Sequence, residues 1–268
     1  MPAAEAFPVP PQRRAHIVAI ANQKGGVGKT TTAVNLGTAL AAAGRRVLIL
    51  DLDPQGNAST GLGLEKSGRA PSAYDLLLDE ADLAAVTAVT EVPGLGIVPS
   101  SPDLAGAEYE LIGRERREFL LSRAIRGRLG SLDTVLIDCP PSLNLLTVNA
   151  LVAADCVLVP LQCEFYALEG LTQLLGTIER VRRALNPRLE LLGVILTMYD
   201  QRNNLCDQVA ADVRGHFGDK VFDTVIPRNI RIAEAPSHGK PVLLYDWRCP
   251  GAQAYVRMAE ETLRRVAR

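Results

Sequence analysis

The stretch IANQKGGVGKTTTA, residues 20–33, sets two lysines around Gly25, Gly26, Val27 and Gly28 and ends in a run of threonines. Glycines at this spacing let the backbone curl until its N–H groups converge on an anion, and a helix opening near Lys29 adds the positive end of its dipole. Phosphate is the anion such a loop fits. Lys29 is spaced to reach the β- and γ-phosphates of a nucleotide, Thr30 to ligate Mg2+ and Thr31 to touch the α-phosphate. The loop departs from G-x-x-x-x-G-K-[ST] at its first position, which here is Gln23. Lys24, at the front of the loop, is one lysine more than a phosphate needs.

Two acidic strand ends answer the loop. VLILDLDPQG supplies Asp51 and Asp53, and TVLIDCPPS supplies Asp138. In an α/β sheet, ligands bind beyond the carboxyl ends of the strands, so all three carboxylates converge on one crevice. Asp138 follows an apolar run, Val135, Leu136 and Ile137, the pattern of a Walker-B acid that holds Mg2+ through water. Asp51 and Asp53 lie two apart and share a side of an extended chain. One can steady the metal's water shell while the other orients an attacking water, and either can instead cap a turn.

Positioning such groups takes a parallel sheet with crossover helices, and short apolar runs alternating with helical patterns predict one. Strands are expected at 16–22, 46–52, 94–99, 133–138, 155–161 and 191–197, and helices at about 29–43, 114–127, 142–153, 167–185, 204–216 and 250–267. The Val, Ile and Leu runs are continuous rather than alternating, as in strands covered on both faces. The fold class is α/β: one doubly wound P-loop domain over 16–268, with a mostly parallel twisted sheet, behind a flexible tail over 1–15 that carries Arg13 and Arg14. The Gly/Pro-rich stretch 91–103 reads as loop–strand–loop inside that domain.

Bulk properties exclude several classes. The 268 residues are 47% hydrophobic and carry a net charge of −1, which suits a large core and rules out a constitutively basic protein. No apolar run reaches the ~18 residues of a membrane span, and the opening segment lacks a signal peptide's apolar core. The five cysteines form no C-x-x-C pair and read as reduced thiols in a cytoplasmic protein. Cys139 reads as a small strand-end residue.

The motifs KGGVGKTT, DLDPQGNAS and IDCPPSL resemble those of the deviant Walker-A ATPases, the ParA/MinD group. QCEFYALEGLTQLL (162–175) and VIPRNIRIAEAPSHGKP (225–241) are similar to the chromosomal, Soj-type branch, which segregates DNA, and the resemblance spans about 16–266. It implies an ATP- and Mg2+-dependent hydrolase that forms an ATP-dependent homodimer. Lys24 then corresponds to the signature lysine, which reaches phosphate in the partner subunit's site. A unit charge pair at ~4 Å is worth about 4 kcal/mol at an effective dielectric of 20, before desolvation, so losing the γ-phosphate loosens the dimer. Asp53 corresponds to the hydrolytic aspartate and Asp138 to the switch acid beside Mg2+. At Gly25 the dimer partner approaches closely. Pro227, Arg228 and Asn229, after the strand-like FDTVI, fall where the family has its adenine-contacting loop.

The resemblance also implies non-specific double-stranded DNA as a partner, through Arg202 and Arg231 with Lys240 and Arg228 beside them. It implies a ParB-type centromere-binding protein that stimulates hydrolysis, and a nucleoid-associated location without membrane attachment. Four phosphate contacts per dimer would weaken binding roughly tenfold for each doubling of salt. Three other readings compete. A MinD-like membrane-cycling ATPase needs an exposed amphipathic C-terminal helix, and the stripe Tyr255, Met258 or Ala259, Thr262 or Leu263, and Val266 is expected to dock on the core instead. A nitrogenase-reductase-like carrier needs cluster-bridging cysteines that the spacings here do not match. A binding module that holds nucleotide without turnover would not need Lys24, Asp53 and Asp138 together.

Overall fold

A computed structural model describes residues 14–78, 80–164 and 167–267. Its apolar runs form β1 (His16–Ile20), β2 (Val47–Asp51), β3 (Ala88–Val89), β4 (Leu95–Val98), β5 (Thr134–Asp138), β6 (Cys156–Gln162), β7 (Glu190–Tyr199) and β8 (Val221–Pro227). They make one sheet in the order β3-β4-β2-β5-β1-β6-β7-β8, parallel throughout except where β3 pairs antiparallel with β4. The continuous hydrophobicity has its cause in two cores. Ile17, Leu48, Leu50, Val135, Ile137 and Val157 point into one, and Val18, Ile20, Ile49, Leu136 and Leu158 into the other.

The first core is covered by helices Leu120–Ile125, Leu145–Ala153, Ala167–Ala184 and Asn204–Phe217, the second by Lys29–Ala42 and Pro250–Val266. In the last of these, Tyr255, Met258, Ala259 and Thr262 are buried, so the stripe a membrane helix would need is spent on the core. Among the described residues no helix is long and apolar enough to cross a membrane. All five cysteines are free thiols, and Cys139 is buried at the end of β5.

Two expectations need correcting. The helix expected over 114–127 is broken: helix Leu104–Ile112 ends at Gly113, Arg116 takes a left-handed conformation (φ 50°), and helix resumes only at Leu120–Ile125 after a 3-10 turn. The charged run from Arg114 to Glu118 offers no apolar stripe to bury, whereas Leu120, Leu121 and Ile125 do. Strand β3 lies outside the six expected, and β8 extends what reads from sequence only as the strand-like FDTVI. β8 is an edge strand whose polar middle weakens the pattern: the N–H groups of Asp223 and Thr224 donate to Glu261 (2.9 and 3.0 Å) rather than to another strand. The tail expectation for residues 1–13, Arg13 included, lies outside the described residues. Arg14 is tied to Asp155 at 2.9 Å and Ala15 is buried.

Candidate nucleotide site

After β1 the chain turns on buried Asn22, whose side chain donates to Pro160 O in β6 (2.8 Å) and accepts from Lys24 N (3.0 Å). Gly26 and Gly28 have φ of 73° and 87°, a region that other residues enter only with strain. Gly28 leads straight into helix Lys29–Ala42, which has no side-chain cap and no acid in its first turn. Its end N–H groups are left for an anion. The far side of the loop is held by Thr197, which donates to Val27 O at 2.9 Å. Lys29 is buried, and its ammonium folds back across the loop to Lys24 O at 3.0 Å.

Beneath the loop lie the carboxylates. Asp51 and Asp138 are register partners on β2 and β5, and both are fully buried. Neither oxygen of Asp138 accepts a hydrogen bond. Burial holds its carboxyl well above the usual carboxylate range, with Asp51 adding to the effect; the nearby Thr30 hydroxyl and Lys29 pull the other way. Asp51 is differently placed: it accepts from Ser59 N (2.8 Å), Ser59 Oγ (2.7 Å) and Asp53 N (3.3 Å). Burial pushes it up to about 6 against the restraint of Ser59. Asp53 is buried, and one of its oxygens accepts from Gln55 N (3.0 Å). Burial lowers the Lys29 ammonium, opposed by Asp138, Cys139 and Asp53.

An unpartnered carboxylate in a dry floor is costly unless neutralised. A Mg2+ ion suits this donor set. It takes one or two carboxylates, with water and phosphate completing its shell, and among the described residues there is no group of three or more acidic, His or Cys side chains that would form an all-protein cage. Asp138 and Thr30 are the groups free to serve it, Asp51 being spent on Ser59.

Over this floor opens a cavity of about 460 Å3, walled by the loop glycines, Thr30, Thr31, Asp53, Met198 and Lys240 among others. Pro227, Arg228 and Asn229 stand beside it rather than in its wall: Arg228 N donates to Tyr199 O, and Asn229 caps helix Ile230–Glu234. A larger hollow of about 990 Å3 lies at the opposite end of the sheet, beside the amino ends of the strands, among Arg14, Asp155, Arg188 and Glu190. Cations and carboxylates alternate there, and no phosphate loop reaches it.

The front lysine takes no part in its own cleft. Lys24 pairs with Glu164 just beyond β6, with both side chains 44% exposed. At Gly25 an added Cβ would meet nothing within 4 Å, and its φ is not in the left-handed region.

Comparison with known proteins fits this geometry. A family model described as an AAA domain (AAA_31) matches residues 15–191. The chain is 63% identical to the chromosome partitioning protein ParA of Caulobacter vibrioides over 252 residues, 93% of this chain and 94% of that protein. It is 54% identical to the sporulation initiation inhibitor protein Soj of Bacillus subtilis over 245 residues, 91% and 97% of the two chains. The chain belongs to the ParA/Soj family. Among solved structures, a cobyrinic acid a,c-diamide synthase from Mycobacterium smegmatis with bound ADP and magnesium superposes with a TM-score of 0.83 at 40% identity, covering 95% of this chain and 96% of that one. The septum site-determining protein MinD of Pyrococcus horikoshii, complexed with Mg-ADP, gives 0.77 at 29% identity, covering 92% and 96%. Neighbours with such different names share the fold, so what nucleotide cleavage drives must be read from the residues around the site.

As a ParA/Soj chain, a member of a family of ATPases, it carries its remaining candidate residues on the rim. Tyr199 and Pro227 are register partners on β7 and β8, so Arg202 and Arg231 follow neighbouring strand ends. Both are already engaged: Arg202 grips Asp200 through Nε and Nη2 (2.9 Å each), and Arg231 reaches Glu234 (2.9 Å) and Asp246 (3.5 Å). Sequence reasoning missed Ser59, Glu164, Asn35 and Met198. Asn35 ties the loop helix to the rim, donating to Thr31 O (2.8 Å) and accepting from Val242 N (2.7 Å). Ser59 lay inside the quoted DLDPQGNAS motif and Glu164 inside QCEFYALEG. For Met198, a non-glycine residue at φ 50°, there was no signal.

Proposed function

We propose that this chain is a Mg2+-dependent partitioning ATPase that converts ATP and water to ADP and phosphate, and that two copies close face to face over the nucleotide to bind DNA. One observation carries the reading: Lys29 already serves the chain's own phosphate loop, so Lys24 is a cation its own cleft does not use. Freed from an exposed partner, which binds it only weakly, Lys24 is available to a phosphate across an interface. The open space over Gly25 suits the close approach this requires.

Within each site Lys29 and the helix N-terminus hold the phosphates, Thr30 and Asp138 hold the cation, and Asp51 keeps the Asp53 turn in position through Ser59. Asp53 orients the attacking water. Bound Mg2+ supplies neutralisation of charge at the β- and γ-phosphates. Lys24 adds a cation where charge develops during transfer, the task of an arginine finger, which is worth ~10³–10⁵-fold in rate. Loss of the γ-phosphate removes what Lys24 holds, and the dimer loosens.

Arg202 and Arg231, with Arg228 and Lys240 nearby, are the phosphate contacts on DNA. Two copies double their number, so binding follows the dimer and needs no further device. No recognition helix is invoked, and sequence-independent binding on the nucleoid follows. A ParB-type centromere-binding protein is the expected stimulator of hydrolysis. The docked C-terminal stripe speaks against MinD-like membrane cycling, which co-sedimentation with vesicles tests.

The deciding experiment measures DNA binding with Mg-ATP, Mg-ADP and no nucleotide for the wild-type chain, Lys24→Ala and Arg231→Ala. Binding is expected with ATP alone and lost in both variants. A Lys24→Ala chain that still dimerises and coats DNA would overturn the sandwich.

A further inference from the structure

Trp247 is the only tryptophan of the chain, and it stands 60% exposed. An indole left in water forgoes the burial its large apolar surface would give. The backbone that carries it is held in place. Gln253 donates to Trp247 O at 2.7 Å, and Asp246 Oδ1 accepts from Arg248 N at 3.2 Å. The Arg248 guanidinium lies 5.3 Å from the centre of the indole ring, within cation–π range. The second oxygen of Asp246 is 3.5 Å from Arg231 Nε. One carboxylate therefore ties Arg231 to the backbone of Arg248, the residue whose guanidinium lies over the Trp247 ring.

The surroundings are cationic. Residues 228–248 carry Arg228, Arg231, Lys240 and Arg248 against Glu234 and Asp246, four positive charges against two negative, in a chain whose net charge is −1. Ile230, 69% exposed, precedes Arg231. An apolar edge set among cations suits a polyanion that also offers apolar surface between its charges, and a DNA duplex offers both.

We infer that Trp247 and Arg248 form a wedge that meets the duplex beside Arg231, the indole on the sugar and base edges of a groove and the guanidinium on phosphate. This rests on the DNA-binding reading above and assigns two residues to it that no motif supplied. The two make separable contributions. Arg248 acts through counterion release and sets part of the salt dependence. Trp247 acts through apolar contact, which salt scarcely screens.

The test uses the full chain with a slowly hydrolysed ATP analogue, Mg2+ and a fluorescein-labelled duplex of arbitrary sequence, following duplex anisotropy and Trp247 emission in one titration. Emission should change in step with anisotropy. Trp247→Leu should weaken binding on the order of tenfold with an unchanged salt slope, and Trp247→Phe should recover part of that loss. Arg248→Ala should reduce the slope by about 1.8, or ~0.9 for each of two copies. All three variants should bind nucleotide as the parent does. Normal anisotropy with silent emission and an unaltered Trp247→Leu affinity would overturn the wedge, leave DNA binding standing and give the face to a protein partner. If the labelled duplex binds in no nucleotide state, the DNA reading itself fails and the wedge with it.

Discussion

The floor and the rim of the cleft use the same residue types to opposite ends. In the floor, Asp138 is fully buried without a hydrogen bond, and Lys29 beside it loses proton affinity to burial. On the rim, Asp200 and Arg202 grip each other in open water, and Asp200 is held down to about 2 by its partner's hydrogen bonds. A charge in the floor awaits a ligand because solvent cannot satisfy it, whereas a charge on the rim is satisfied twice over and can be exchanged. The floor therefore suits all-or-none chemistry, and the rim suits graded, salt-sensitive attachment.

The largest effect should come from removing either member of the buried pair. Lys29→Ala or Asp138→Ala should cut phosphate release at least a hundredfold in saturating Mg-ATP, with DNA and stimulating partner present, because a developing charge loses its preorganised counterpart. Turnover within tenfold of the wild type would mean that the floor is as exchangeable as the rim.

Next come the two ends of the glycine loop. Gly25→Val should leave folding intact and nucleotide binding present, and abolish the ATP-dependent dimer in ultracentrifugation, since its Cβ meets nothing in the single chain. Gly28→Ala should instead cost about 1–2 kcal/mol of stability in denaturant titrations, because its φ of 87° strains any side chain. A loss of similar size belongs to the support beneath. Ser59→Ala takes one hydrogen bond from Asp51 and strands Ser100 N, which donates to Ser59 Oγ at 3.1 Å. About 1–3 kcal/mol of stability should go with it.

How much of this was legible in the sequence divides along the same line. Phosphate geometry dictates glycine, lysine and threonine at fixed spacing, and burial on both faces dictates continuous apolar strands. Gly25 to Thr31 as a phosphate loop, Asp51, Asp53 and Asp138 as acids at strand ends, and the six central strands could therefore be read from local pattern, whereas a task for Lys24 came only with the family resemblance. What escaped depends on partners far along the chain. Lys24 meets Glu164, 140 residues away, and Asn35 meets Val242, 207 away; no local pattern encodes either. The edge strand β8 showed only as the strand-like FDTVI, because Glu261 satisfies its backbone and leaves its own side chains free to be polar. The helix expected over 114–127 failed for a related reason: a charged run has good helix formers but nothing to bury. The rim arginines were visible as residues, yet their pairing with Asp200, Glu234 and Asp246 was not.

That pairing yields the smallest effect and the sharpest contrast. The Arg202 side chain is 88% exposed and Arg231 48%, so their ion pairs contribute little to the fold. Under the proposed function, a DNA phosphate must compete with Asp200 and Glu234 for each guanidinium. Asp200→Asn and Glu234→Gln should therefore leave the denaturation midpoint in place and tighten ATP-dependent DNA binding by roughly twofold to tenfold. The salt slope should steepen as each arginine approaches its full ~0.9. Removing a carboxylate from the floor ends activity, while removing one from the rim increases attachment. If Asp200→Asn weakens DNA binding instead, Asp200 is holding the Arg202 fork in its working orientation, and the rim, like the floor, depends on a preorganised partner.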